Sequence, residues 1–180
     1  MLDIKKLSAP LTIDQIDFRV QSINKGGYAT ILAYKDARVD INRLNAVCGP
    51  LGWMRSHSRE NHNCTVSIWD TERKHWVSKE DTGTESQAEA AKGLASDSFK
   101  RSCFNWGLGL ELYDYPVIQI KLNQDEFTVQ GDKARATWNF KLRDWVWYSE
   151  FDGGKISFLA ANDGKTTRFK WGVMNHKEKS

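Results

Sequence analysis

The amino-acid sequence predicts an α+β fold: a helix, a three-stranded antiparallel meander (a β-β-β-α core), a long helix packed on that sheet, and hairpins toward the C-terminus. Three observations carry this expectation. Residues 36–50, "DARVDINRLNAVCGP", place apolar side chains at helical spacing. Residues 53–81 hold three runs rich in β-branched and aromatic residues, separated by short polar turns. Residues 86–106 open on a capping box and return to helical spacing.

Each element has its own signal. In the first helix, expected over 38–48, Ile41, Leu44 and Val47/Cys48 share one face, and Gly49 followed by Pro50 stops the helix. The strands are "WMRSHS", "CTVSIWD" and "KHWVSKED", joined by "RENHN" and "TER". Turns this short require antiparallel neighbours. Ser86, with Glu89 three residues on, opens the long helix, which is expected to reach Trp106 before Gly107 ends it. At roughly 100° per residue, Ala88, Ala91, Ala95, Phe99, Ser102 and Trp106 form one apolar stripe. Lys92, Ser96 and Lys100 follow its edge at i, i+4 spacing, and Arg101 points away from it.

The ends of the chain are less regular. "LTIDQIDFRVQSI" fits a short helix with a strand or loop, "NKGGY" is a flexible turn, and the structure of residues 1–35 stays open. Beyond residue 118, Trp138, Phe140 and Leu142, then Trp145 and Trp147, then "KISFLA", the turn "NDG" and "KTTRFKWG" alternate as hairpins do. No internal repeat or low-complexity linker interrupts the chain, so residues 1–180 are expected to form a single domain with a β-rich extension over 119–180.

Composition narrows the function classes. The chain is 40% hydrophobic and 27% charged, with 8 Trp and a net charge of +3, the profile of a soluble globular protein. Residues 35–110 hold eleven Lys/Arg against ten Asp/Glu, so any anion-binding surface there must come from spatial sorting of charge. Cys48, Cys64 and Cys103 are odd in number and widely spaced, which fits reduced thiols packed as small hydrophobes. His57 and His62 lack the partners of a zinc site, and no metal ligands are assigned. No stretch approaches membrane-spanning length and "MLDIKKLSAP" is no export signal, so a cytoplasmic protein without membrane contact is expected.

Three chemistries can be weighed. No Gly-x-x-x-x-Gly-Lys-Ser/Thr loop exists, and "WGLGL" follows a helix instead of opening one, so neither ATP nor another cofactor is expected. Asp70, Glu72 and Lys74 have the spacing of the acidic-x-Lys element of metal-dependent nucleases, but they fall in the most evident turn of the meander. No nucleophile and base pair stands out, so no catalytic residue is assigned. The third chemistry is nucleic-acid binding. Arg38, Arg43, Arg55, Arg59, Lys92, Lys100 and Arg101, interleaved with Trp and Tyr, could contact phosphates while exposed rings stack on bases.

Two longer motifs bear on that choice. "YKDARVDINRLNAVCGPLGW", three strands, and then "AAKGLASDSFKRSCFNWGLGLELYDYP" resemble the single-strand annealing proteins of the Rad-fifty-two type, including the phage recombinases called Sak. The resemblance covers residues 28–118. It rests on an Ala-Arg before a helix ending in Gly-Pro, and on a Ser-Asp-x-x-Lys-Arg helix ending in aromatic-Gly-x-Gly. It implies ATP-independent binding of single-stranded DNA and annealing of complementary strands in homologous recombination and repair, by homo-oligomeric rings, arcs or filaments. A single-strand-binding protein or an exonuclease would be an accessory partner. On this resemblance Lys100 and Arg101 fall on the groove-lining Lys-Arg pair, and Arg38 matches the arginine preceding the first helix in phage members. Phe104 stands where the eukaryotic type has a further basic residue, a loss for which Lys92 would compensate. Two rival readings remain: a double-stranded RNA-binding module, whose element order is similar, and a metal-dependent nuclease using Asp70, Glu72 and Lys74.

Overall fold

The computed structural model describes residues 2–84 and 90–174, and in the helix that begins at Ala90 it describes side chains from residue 93 onward. In chain order the elements are α1 (Ile4–Leu7), β1 (Asp17–Ile23), β2 (Tyr28–Tyr34), α2 (Ala37–Cys48), β3 (Trp53–Ser58), β4 (Asn63–Asp70) and β5 (His75–Thr82). They continue with α3 (Ala90–Phe104), β6 (Ile118–Lys121), β7 (Phe127–Gln130), β8 (Lys133–Ala136), β9 (Val146–Asp152), β10 (Lys155–Asn162) and β11 (Thr167–Gly172). The class is α+β, with antiparallel strand pairs and few helices among the described residues. The chain forms two compact units, Met1–Leu11 with Lys35–Leu110, and Thr12–Tyr34 with Glu111–Ser180. The stretch 28–118 therefore takes residues from both.

In the first unit, β3, β4 and β5 form the expected antiparallel meander. Alternation along β4 turns Cys64, Val66 and Ile68 to one face, where each is at most 1% exposed. They pack with Leu44 of α2, Phe99 and Cys103 of α3, and Leu7 and Leu108. Burial of an aliphatic or aromatic side chain of this size stabilises by about 1.5–3 kcal/mol. The Asp36 side chain accepts from the Arg38 N–H to cap α2, and Gly49 at φ +73° closes it.

The long helix differs from its expectation in extent and in phase. It is described over fifteen residues and ends at Phe104 instead of reaching Trp106. The capping box of Ser86 and Glu89, with Ala88, lies outside the described residues. The buried face is Leu94, Ser98, Phe99, Ser102 and Cys103, turned by about one residue from the expected stripe of Ala95, Phe99, Ser102 and Trp106. Two serines enter the core because their hydroxyls are satisfied there. Ser102 Oγ accepts from the Val66 N–H at 3.2 Å and donates to the Lys79 carbonyl at 2.8 Å, and Ser98 Oγ donates to the Asn61 carbonyl at 2.9 Å.

In the second unit, the sheets β1–β2–β6 and β9–β10–β11 share one core, built from Ala29, Ile31, Ile118 and Ile120 on the first and Ile156, Leu159 and Ala161 on the second. The strands β9 to β11 are the expected C-terminal hairpins. Residues 138–142 are a correction: they form no strand, because Phe140 and Leu142 turn into the core as a loop and a short 3-10 turn at Leu142–Asp144. Arg168 of β11 donates to Glu126 Oε2 at 2.7 Å and to Asp163 Oδ2 at 2.9 Å, and its guanidinium lies 4.8 Å from the Trp145 ring centre.

Candidate nucleic-acid interface

The helical side of the first unit is organised by β3. Trp53 stacks near Phe99 of α3, with ring centres 6.1 Å apart, while its indole N–H donates to Asn45 Oδ1 of α2 at 2.8 Å. One side chain thus ties strand, first helix and second helix together. Phe99 is fully buried, and Arg55 of β3 lies over its ring with the guanidinium carbon 4.6 Å from the centre. Lys100 is the next residue along α3.

Lys100 and Arg101 diverge, as successive helical positions must. Lys100 is partly exposed, and its charge favours the ionised carboxyls of both Asp36 and Asp40, at the start of α2. Asp36 is held below the usual carboxylate range chiefly by the Arg38 side chain, then by the Arg38 N–H, with Lys100 adding to the effect. Arg38 Nε donates to Asp36 Oδ1 at 2.9 Å and its side chain is 83% exposed. Lys100 is thus electrostatically coupled to Asp36, the ion-pair partner of Arg38. Arg101 turns to the sheet edge, where Nε donates to Asp81 Oδ1 at 3.3 Å and Asn105 reaches the Glu80 carbonyl and the same Asp81.

The remaining sequence-predicted residues separate. The Arg43 guanidinium donates to the carbonyl of Ala9 at 2.6 Å and to those of Lys6 and Leu7, so it holds the end of α1. Arg55 is exposed, over Phe99. The Lys92 side chain lies outside the described residues. Arg59 sits in the β3–β4 turn at φ +49°.

Sequence reasoning missed Lys35. It is 1% exposed, and its ammonium donates at 2.5 Å both to Asp40 Oδ1 and to the Leu108 carbonyl, 4.2 Å from the Phe104 ring centre. The bridge clips the start of α2 to the chain leaving α3. Burial pushes the Asp40 carboxyl up to about 6, against the pull of Lys35, Lys100 and Arg43. The available signal was the second glycine of "WGLG". Gly109 has φ +69°, and a Cβ there would stand 2.9 Å from Lys35 Cδ. Phe104, the position lacking a basic residue, supplies the ring on which Lys35 rests.

The nuclease residues do not converge. Asp70 Oδ1 accepts from the N–H groups of Glu72 and Arg73 at 2.9 and 3.0 Å, and Oδ2 accepts from Arg73 Nη1 at 3.1 Å. Those bonds close the β4–β5 turn, and no cluster of three His, Cys, Asp or Glu able to hold a metal occurs among the described residues. Burial pushes the Cys64 thiol up to about 11 and the Cys103 thiol up as well, so both stay protonated. In the second unit Trp145 is buried against Phe140, and Trp147 stacks on Phe18 with ring centres 3.6 Å apart. Trp171 is 39% exposed.

No family model matches the chain, and no solved structure matches it. Among curated proteins it is similar to the single-stranded DNA-binding protein DdrA of Deinococcus radiodurans, at 31% identity over 115 residues. That stretch covers 62% of this chain and 55% of the relative, so the chain spans about half the length of the curated protein it matches.

Proposed function

We propose that this protein binds single-stranded DNA and anneals complementary strands without ATP, working in recombination as a homo-oligomeric ring or arc of the Rad-fifty-two and Sak type. The observation that carries the reading is the grouping of Lys100 with Arg38 at the α2–α3 boundary, with Arg55 over the adjacent Phe99. The likeness to a single-stranded DNA-binding protein supports the ligand class. The whole chain, residues 119–180 included, acts as one annealing domain.

The chemistry required is modest. Lys100, Arg38 and Arg55 hold phosphates, and Arg101, on the sheet edge, joins them by exchanging Asp81 for a phosphate, contacts that position a strand and carry no sequence information. Bases left facing outward pair with an incoming complement, and holding the strand extended removes competing hairpins before pairing begins. Duplex formation supplies the free energy, so no catalytic group is needed. Repetition of the site around an oligomer would extend the grip along one strand.

Mixing complementary oligonucleotides with the protein, without ATP, tests the reading by the rate of duplex formation. Acceleration in wild type, lost in Lys100→Ala/Arg38→Ala while thermal stability is kept, is the expected result. Equal rates in wild type and variant would refute the site. Preference for duplex RNA over single-stranded DNA in competition would favour the RNA-binding alternative.

A further inference from the structure

Trp138 is out of place on energetic grounds. It is 80% exposed, more than twice as exposed as Trp171 or Trp76, whereas Trp145 a few residues on is buried. An indole held in water forfeits the burial that makes tryptophan worth placing in a fold. A loose loop is no explanation, because both neighbours are pinned. Thr137 donates its N–H to the Glu126 carbonyl at 2.9 Å and its hydroxyl to the Asp125 carbonyl at 2.5 Å, while Asn139 reaches Asp125 at 3.4 Å. Phe140 and Leu142, each 8% exposed, anchor the chain that follows. The ring is therefore presented, with the Lys141 ammonium 4.6 Å from its centre.

The segment itself is cationic, bordered by Asp132 and Asp144 and with Asp125 Oδ2 accepting from Asn139 at 3.4 Å. Residues 133–143, "KARATWNFKLR", contain four cations and no carboxylate, in a chain whose net charge is only +3. Lys133, Arg135, Lys141 and Arg143 are all exposed. Among the described residues none of the four forms an ion pair. Asp132, at the border of the segment, bonds to Lys25 at 2.5 Å instead. One cation over a solvent-facing aromatic ring, with three further cations within five residues of it along the chain, is complementary to a phosphate chain with unstacked bases. A duplex or an acidic peptide would use the cations and leave the ring idle.

We propose that Lys133, Arg135, Trp138, Lys141 and Arg143 form a second contact for single-stranded DNA, in which Trp138 stacks on a base and the cations hold flanking phosphates. This deepens the single-strand reading above and rests on it. The test measures binding of the full chain to an oligo-dT and to an abasic oligonucleotide of equal length, by fluorescence anisotropy over a range of salt. Trp138→Ala is expected to weaken oligo-dT binding at least ~5-fold and to leave abasic binding unchanged, as loss of one base stack requires. Replacing the four cations with Ala should flatten the dependence of log affinity on log salt by ~0.7 for each phosphate no longer held.

Unchanged oligo-dT binding in Trp138→Ala would overturn the proposal. If Lys100→Ala/Arg38→Ala abolishes binding while both segment variants bind as wild type, the second contact falls and the first stands. If wild type binds no single strand, both fall. If loss of the four cations weakens single strand, duplex and poly-glutamate alike and Trp138→Ala is silent, the segment is a general polyanion surface, which also overturns the proposal.

Discussion

Replacing Lys35 with Met removes an ammonium that is 1% exposed and donates at 2.5 Å to both Asp40 and the Leu108 carbonyl. The substitution keeps the length of the side chain, so little packing is lost, but Asp40 is left buried without its donor. Removing one partner of a buried pair costs about 3–5 kcal/mol. For a chain of this size that lowers Tm by roughly 6–20 °C. The pH dependence identifies the cause. The folded pKa of Asp40 lies at about 6, above its ordinary 3.8. Relative to the protonated form, the stability tied to Asp40 is present below the ordinary value and is lost as pH rises through about 6. Without Lys35 the folded pKa rises further. The penalty of Lys35→Met should therefore be largest near pH 8 and shrink toward pH 5, where wild-type Asp40 is itself mostly protonated. Chemical denaturation followed by tryptophan fluorescence at the two pH values measures it. The double variant Lys35→Met/Asp40→Leu should recover much of the loss. A penalty below about 1 kcal/mol, or one that does not vary with pH, would refute the reasoning.

Other outcomes follow from the same geometry. Gly109→Ala should destabilise more than Gly49→Ala: both have positive φ, but a Cβ at Gly109 meets the pinned Lys35 at 2.9 Å whereas one at Gly49 meets nothing within 4 Å. Paired thermal melts compare them. Arg168→Met should cost about 3–5 kcal/mol in denaturant melts at pH 7, since it breaks a pair with Glu126 in which both side chains are 9% exposed. Hydrogen bonding holds Asp163 down to about 2, first from the Thr166 N–H and then from Arg168; at Glu126 burial pushes upward, but Arg168 and the Asn123 N–H together hold the carboxyl low. Depressed carboxyls stabilise above their ordinary range and lose that contribution as pH falls through the folded values, so the wild-type advantage over Arg168→Met should fade below about pH 4. Glu72→Ala should leave the protein's effect on labelled DNA in Mg²⁺ unchanged, because the adjoining Asp70 is committed to its turn.

The meander was legible because its turns and its alternation agree, and α2 because Gly49 supplies the left-handed stop. The phase of α3 was not, since hydrophobicity alone cannot see that Ser102 is satisfied by backbone groups of the sheet and Ser98 by a carbonyl of the β3–β4 turn. The β1–β2 hairpin was hidden by a register shift between Val20 and Ser22, which breaks the two-residue period. Trp138, Phe140 and Leu142 alternate as a strand does, yet bonds from Thr137 and Asn139 back to Asp125 hold that segment as a loop. For the candidate site, motif order brought Lys100, Arg101 and Arg38 into view, and the interleaving of basic with aromatic residues added Arg55. It could not show that Arg43 serves α1, that Arg101 leans on Asp81, or that a buried lysine ties α2 to the chain leaving α3, because those are facts of direction and not of residue type.

The most direct measurement is a salt titration of oligo-dT binding by wild type and by Lys100→Glu/Arg38→Glu, with folding checked by circular dichroism. If these side chains grip phosphates, wild-type affinity falls steeply with salt, and the variant binds at least ~10-fold more weakly with a slope shallower by ~1.4, two phosphates at ~0.7 each. A folded variant with wild-type affinity and slope would contradict the account.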